Sequence, residues 1–258
     1  MSDFFDRREM VRDFFQAQEG ILRNFYSLHE RGGLELHFES IATLKDVFRL
    51  EDRCFRCIDD RTPGGLHAAG PVILMDEKKG VDMLRRTRAE GIYSHTGCSA
   101  AAIAFEDLSE NMKKFYENPD NYGMFYAKRM AKKADIPYMG HILALPHFNM
   151  ARLAVYDGTG SFDNSKLETI GLPPAFVISR RYHSDAETAM KEVSLALTAA
   201  TSSQGFGRLI KAGKTPFLIL VVGARQNEFS LNRLMEEAEE VAKDFGGKVI
   251  VDGFVAPA

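Results

Sequence analysis

The sequence predicts an α/β fold, a mainly parallel β-sheet flanked by helices. Two observations carry this reading. Short apolar runs alternate with charged, amphipathic stretches of helical period from residue 54 onward. Each run also ends in turn chemistry, the arrangement of parallel sheets whose sites lie at the carboxyl ends of strands.

The elements follow in order. Residues 7 to 28 read as an amphipathic helix with Val11, Phe14, Phe15, Ile21, Leu22 and Phe25 near one face, stopped by Arg31-Gly32-Gly33. Residues 34 to 50 fit no single pattern. Cys54 to Ile58 reads as a strand, closed by the turn-forming Asp59-Asp60-Arg61-Thr62-Pro63-Gly64-Gly65. Leu66 to Leu74 is a second small and apolar stretch. Asp76 to Glu90 is a charged helix with Val81 and Leu84 inward and Gly91 as its stop; Ile92-Tyr93-Ser94 is a strand running into His95-Thr96-Gly97-Cys98. A helical region covers about 106 to 134. Ala151 to Tyr156 is a strand turning at Asp157-Gly158-Thr159-Gly160, Ala175 to Tyr182 another, and a helix follows from about 185 to 202. Phe217 to Val222, the stripe Leu231, Leu234, Met235, Ala238, Val241, Ala242 and Phe245, and Lys248 to Val255 make a closing βαβ unit. Neither an internal repeat nor a polar linker is evident. The chain reads as a single domain over 1–258, with a helical arm (1–50), a core carrying the site (51–165) and a C-terminal α/β extension (166–258).

Composition narrows the functional classes. With 33 Lys and Arg against 36 Asp and Glu, the formal charge of -3 offers no basic field to nucleic acid. The run Lys128-Arg129-Met130-Ala131-Lys132-Lys133 reads as a solvated helix face. No apolar run reaches the ~20 residues needed to span a bilayer, and the N-terminal residues lack the order of a signal peptide. The expectation is a cytoplasmic protein with no membrane partner. The glycine pairs match neither a P-loop nor a dinucleotide fingerprint. The phenylalanines at 4, 5, 14, 15 and 25 read as packing residues.

The three cysteines, Cys54, Cys57 and Cys98, are too few for a disulfide framework and point to metal or catalysis. Cys57-x-Asp59-x-Arg61 and His95-x-x-Cys98 both fall at predicted strand ends. Two thiolates and an imidazole suit Zn2+, which is borderline soft and accepts tetrahedral nitrogen and sulfur donors. Three protein ligands leave a fourth position for water, the pattern of catalytic zinc. Cys54 would close the site as a fourth ligand, but residues three apart on a strand point to opposite faces. A redox Cys54-x-x-Cys57 pair is disfavoured because a Pro-Gly-Gly turn, not a helix, follows. His67 reads as a strand-capping residue rather than a site residue, and His141 and His147 as surface residues flanking Pro146 in a loop.

Together the two motifs resemble the β-class carbonic anhydrases, whose signature is Cys-x-Asp-x-Arg followed by His-x-x-Cys. The resemblance implies a β-carbonic-anhydrase-like fold, with Cys57, His95 and Cys98 as zinc ligands and Asp59 and Arg61 as a catalytic dyad beside the metal. It implies a lyase, a carbonate dehydratase that hydrates carbon dioxide reversibly to bicarbonate by zinc-bound hydroxide. It also implies a homodimer or higher homo-oligomer. It spans roughly residues 53 to 165. This sequence departs from the pattern at Asp60, at His67-Ala68, and at Gly97 and Ser99. Those departures keep two alternatives open: a zinc hydrolase acting on carbonyl sulfide or carbon disulfide, and a non-catalytic zinc-binding scaffold.

Overall fold

The N-terminal apolar stripe folds as α1 (Arg7–Glu30), but its buried face is rotated from the one the sequence suggests. Gln18, Leu22 and Phe25 are buried at helical spacing, with Phe15 and Ile21 packed beside them, whereas Phe14 is 42% exposed. The cause is Arg152, fully buried, whose guanidinium lies over the Phe15 ring and bonds to Glu19 at 2.6 Å. That contact turns the Phe15–Glu19 edge inward and leaves Phe14 outside. The computed structural model describes residues 7–144, 151–202, 207–225 and 227–257; Phe4, Phe5, Pro146, His147 and the side chain of Val11 lie outside the described residues. The segment that fitted no pattern forms the short α2 (Leu34–Glu39) and a 3-10 turn at Leu44–Phe48.

The apolar runs make two four-stranded, all-parallel sheets. The first contains β1 (Cys54–Arg56), β2 (Leu66–His67), β3 (Gly91–His95) and β4 (Tyr138–Ile142), in the order β2-β1-β3-β4. Between its strands run α3 (Glu77–Arg86), then α4 (Ser99–Glu106), α5 (Glu110–Tyr116) and α6 (Pro119–Ala134). The second contains β5 (Leu153–Asp157), β6 (Phe176–Ser179), β7 (Phe217–Gly223) and β8 (Val249–Val255), in the order β6-β5-β7-β8. Its crossovers are α7 (Ala186–Ala200), α8 (Gly207–Lys211) and α9 (Leu231–Lys243). The two sheets therefore repeat one topology: the second strand pairs on one flank of the first, and the third and fourth follow on the other. Each sheet has one place where strand order reverses, between β1 and β3 and between β5 and β7. At such a reversal the crossovers leave in opposite directions, and a crevice opens at the carboxyl ends of the strands.

Both faces of the second sheet are buried, so its strands are continuous apolar runs with period-2 division of labour. Leu153, Val155, Leu218, Leu220 and Val222 pack with Phe25, Leu34, Phe38 and Val47 of the N-terminal arm. Ala154, Tyr156, Ile219 and Val221 face the other way, into a core shared with α7, α9 and the first sheet. The arm is thus a cover for the C-terminal sheet. Tyr26 donates to the Pro216 carbonyl at 2.9 Å and His29 meets Asp252 at 2.7 Å.

Several elements differ from their sequence-based bounds. The Leu66–Leu74 stretch is a strand only at Leu66–His67 and then turns. The charged helix starts after Asp76, whose carboxylate caps Lys78 and Lys79, and stops at Arg86; its inward residues are Met83 and Leu84, with Val81 half-buried. Gly91 opens β3 rather than ending the helix. Strand β4 carries His141, which places that histidine in a sheet rather than a loop. It is the edge strand of its sheet and mostly half-buried, so it lacks the alternation that marks a strand in sequence. Among the described residues, no helix is long and apolar enough to cross a membrane.

Removing the partner of a buried charge leaves that charge uncompensated, at a cost of about 3–5 kcal/mol. Glu19→Ala, which strands the Arg152 guanidinium, is expected to lower unfolding stability by roughly 3 kcal/mol. Breaking the exposed Lys191–Glu187 pair with Lys191→Ala is expected to leave stability close to that of the wild type. Equilibrium urea unfolding of both variants checks the difference.

Candidate metal centre

The site is built at the strand-order reversal of the first sheet. β1 ends at Arg56, so Cys57 is the first residue beyond it, and Asp59 and Arg61 follow in the turn. β3 ends at His95, and Thr96-Gly97 lead into Cys98, which caps α4: its sulfur accepts from the Ala101 N–H at 3.5 Å. Parallel pairing of β1 with β3 brings these two ends side by side.

Cys57, His95 and Cys98 converge, all buried, with their ligand atoms within 4.8 Å of one another. The Cys57 and Cys98 sulfurs are 3.8 Å apart. Two sulfurs bound to one tetrahedral ion at about 2.3 Å would stand about 3.8 Å apart, so this spacing fits a shared metal. His95 Nδ1 lies 3.0 Å from the Thr96 carbonyl, which accepts only, so Nδ1 carries the proton. Nε2 is then a lone pair, and it is buried with no hydrogen-bond partner among the described residues. A buried nitrogen lone pair aimed at two thiols is otherwise a cost; a metal ion resolves it. The three residues could therefore hold a metal ion.

Electrostatics agree. The Cys57 thiol is pushed well above its ordinary range by its contact with the Cys98 sulfur and by burial. Burial alone would depress His95, but the field of Cys57 and then of Asp59 raises it instead. Without a metal Cys57 is thus held as a thiol, and binding must expel its proton.

Asp59 is buried beside this group and is not one of the three. Arg61 grips it in a fork, Nε to Oδ1 at 2.8 Å and Nη2 to Oδ2 at 2.7 Å, and the Arg61 backbone N–H adds a bond to Oδ1 at 3.0 Å. Burial opposes the Asp59 charge, yet the Arg61 hydrogen bonds and guanidinium charge hold it below the usual carboxylate range. The fork also reaches the first sheet's other strand end, since Arg61 Nη2 lies 3.4 Å from the Gly97 carbonyl. Asp60, the neighbour that the sequence singles out as a departure, behaves oppositely: burial and the Asp59 charge push it up to about 8.

Cys54 stands apart from the group; burial pushes its thiol up to about 11, and its backbone N–H is held by Asp52. His67 is fully buried on β2, with Nδ1 2.6 Å from the Cys57 carbonyl and Nε2 3.2 Å from Asn164 Oδ1. Of the other imidazoles, His141 bonds through Nδ1 to Ser94 Oγ at 2.8 Å. The basic run on α6 lies on an exposed face where Arg129 and Lys133 pair with Glu77.

The corresponding crevice of the second sheet is filled. A Cβ on Gly158, at the end of β5, would meet Leu234 at 2.5 Å and Phe229 at 3.1 Å. At the end of β7, a Cβ on Gly223 would stand 2.6 Å from the Leu231 nitrogen. The start of α9 is therefore pressed onto both strand ends. One topology yields a reversal lined by the two cysteines and the histidine and a second one plugged by α9.

No family model, curated protein or solved structure matches this chain.

Elemental analysis of freshly purified protein should find about one soft or borderline divalent ion per chain. Cys57→Ser, His95→Ala and Cys98→Ser should each lose most of it, while Cys54→Ser keeps it. Titrating metal into the metal-free protein at neutral pH should release at least the proton of the Cys57 thiol, measured by calorimetry in buffers of different ionisation enthalpy.

Proposed function

We propose that this chain is a zinc-dependent hydratase of carbon dioxide, of the β-class carbonic anhydrase type that its two motifs resemble. The observation that carries the reading is the pairing of a Cys57/His95/Cys98 donor set with a carboxylate tied away by its own arginine. Zinc fits the donors: thiolate and imidazole are its usual structural and catalytic ligands, and a tetrahedral ion accounts for the sulfur spacing. Bound there, zinc would supply Lewis acidity and lower the pKa of water in its fourth position.

The remaining work falls to the chain's own atoms. Cys57 and Cys98 give two negative charges that formally cancel the ion's charge. Bound water is then less acidic than on an all-histidine zinc, where the pKa is about 7. Arg61 uses three donors to fix both carboxylate oxygens of Asp59. The fork keeps Asp59 ionised and restrains it from swinging in as a fourth ligand. Each carboxylate oxygen has two lone-pair directions. Oδ1 accepts from Arg61 N and Nε and Oδ2 from Nη2, so the fork itself engages Oδ2 less than Oδ1. Oδ2 is therefore the oxygen of Asp59 that would accept a proton-bearing group and orient it. Burial and the Asp59 charge favour the neutral form of Asp60, so the turn's negative charge is concentrated on Asp59.

A scaffold role would require a fourth protein ligand; the group contains three among the described residues. A sulfur-containing analogue as substrate has no specific support, since His67 spends both ring nitrogens on Cys57 and Asn164.

Stopped-flow hydration of carbon dioxide by the zinc-loaded protein tests the reading. Activity should rise with pH, with an apparent pKa above about 7. Arg61→Ala should keep its metal and lose about a hundredfold in rate. Asp59→Asn should also keep metal and be impaired, because an amide orients its neighbour poorly. A zinc-loaded wild type with no hydration up to pH 9 contradicts the proposal, and full activity in Arg61→Ala discards the fork as part of the mechanism.

A further inference from the structure

The sequence assigns no task to residues 166 to 258, yet three elements of the C-terminal half reach across to the segment around Cys57. β6 pairs through Val177 N–H to the Ile58 carbonyl at 3.0 Å, one residue beyond the cysteine. Asn164, between β5 and β6, accepts from the Gly64 N–H at 2.6 Å through Oδ1, and the same oxygen is packed 3.2 Å from His67 Nε2. His67 in turn bonds to the Cys57 carbonyl. Glu192, on α7, accepts from the Ala69 N–H at 2.7 Å through Oε1. The next residue, Gly70, points its N–H at the Cys57 sulfur at 3.4 Å.

Glu192 is the unusual member. It is a carboxylate 3% exposed, and its one ionic partner, His183, is equally enclosed. His183 Nδ1 lies 2.9 Å from the Ser179 carbonyl and must carry a proton, so the imidazole faces Glu192 Oε2 with Nε2 at 3.2 Å. His183 Nε2 and Glu192 Oε2 thus stand at ion-pair distance inside the core, without hydrogen-bond geometry between them. Burying such a pair is rarely a gain in stability against apolar packing. Its geometry gives it another use. The imidazole is packed against one oxygen of Glu192, and the other oxygen accepts from the peptide N–H next to the one that meets the Cys57 sulfur.

The loop it grips cannot be held by side-chain bulk. Gly70 has φ +60°, and a Cβ there would stand 2.3 Å from Ile73 and 2.9 Å from Ala100. With no side chain available, the backbone orientation of this turn is set by its hydrogen bonds.

We propose that Glu192, oriented by His183, and Asn164, acting through His67, are positioning residues by which the C-terminal half holds Cys57 for the metal. They touch neither the metal nor the substrate. Glu192 sets the peptide that donates to the ligand sulfur, and Asn164 with His67 fixes the ligand's carbonyl. This inference rests on the metal-binding part of the proposal above and is independent of the reaction.

Cobalt(II), a tetrahedral stand-in for zinc with visible and thiolate charge-transfer bands, is the probe. Its affinity is measured by competition with a chelator, and the thermal unfolding of each metal-free chain is measured alongside. Glu192→Leu should bind cobalt about 10–100-fold more weakly, with altered charge-transfer bands. Glu192→Gln, whose amide oxygen can still accept from Ala69, should stay within about threefold of wild type. Asn164→Ala should weaken cobalt by about tenfold, and Asn164→Asp should restore most of it. The Asn164 pair decides the matter if Glu192→Leu does not fold. Wild-type cobalt affinity and spectrum in folded Glu192→Leu, or in Asn164→Ala, overturns the proposal even if the unfolding temperature drops. A wild type that takes up no cobalt overturns it together with the metal reading, whereas cobalt uptake without hydratase activity removes only the reaction.

Discussion

The parallel register of β1 on β3, with Cys54 opposite Gly91 and Phe55 opposite Ile92, is the constraint on which the candidate centre depends. It aligns the carboxyl ends of two strands whose crossovers leave in opposite directions, so the chain segments after Arg56 and after His95 must meet in the crevice between them. From there the chemistry is local. Cys57 is reached before the turn begins, Cys98 is reached after one tight turn and caps α4, and His95 loses its Nδ1 proton's freedom to the Thr96 carbonyl. Two sulfurs 3.8 Å apart and a buried, unpartnered nitrogen are unfavourable to leave bare. The same features are what a soft tetrahedral ion requires.

In the proposed centre the Asp59–Arg61 fork would address the opposite danger. A carboxylate beside a cation is a ligand unless something outcompetes the metal for it. Two side-chain bonds and one backbone bond from a single residue would do so within three residues of chain. The arrangement needs Asp59 ionised while buried, and the guanidinium supplies that. Asp60 lacks such a partner and is pushed the other way by the same burial. Adjacent carboxyls are thus shifted in opposite directions, because only Asp59 is held in the arginine's fork.

Much of the site was legible because its information is contiguous. Cys-x-Asp-x-Arg and His-x-x-Cys fit inside five and four residues, and turn chemistry after an apolar run puts each at a strand end. The separation of Cys54 from Cys57 also follows from strand geometry alone. What escaped the sequence is non-local. β4 is a half-buried edge strand with no alternation to mark it, so His141 looks like a loop residue. Phe14 seems inward by period, but Arg152, 138 residues away in sequence, sets the rotation of α1. The repeated strand order of the two sheets has no counterpart in residue identity: one reversal carries cysteines and a histidine, the other glycines packed under Phe229 and Leu234. His67 and Glu192 could be read only as isolated polar residues, since the atoms they meet belong to distant elements.

X-ray absorption at the edge of the bound metal tests the centre most directly, because it counts sulfurs and measures their distance without reference to any activity. Two sulfurs at about 2.3 Å, with one imidazole nitrogen at about 2.0–2.1 Å and one further light atom, are expected for Cys57, Cys98 and His95 on zinc. A shell with no sulfur, or with three sulfurs including Cys54, would contradict it.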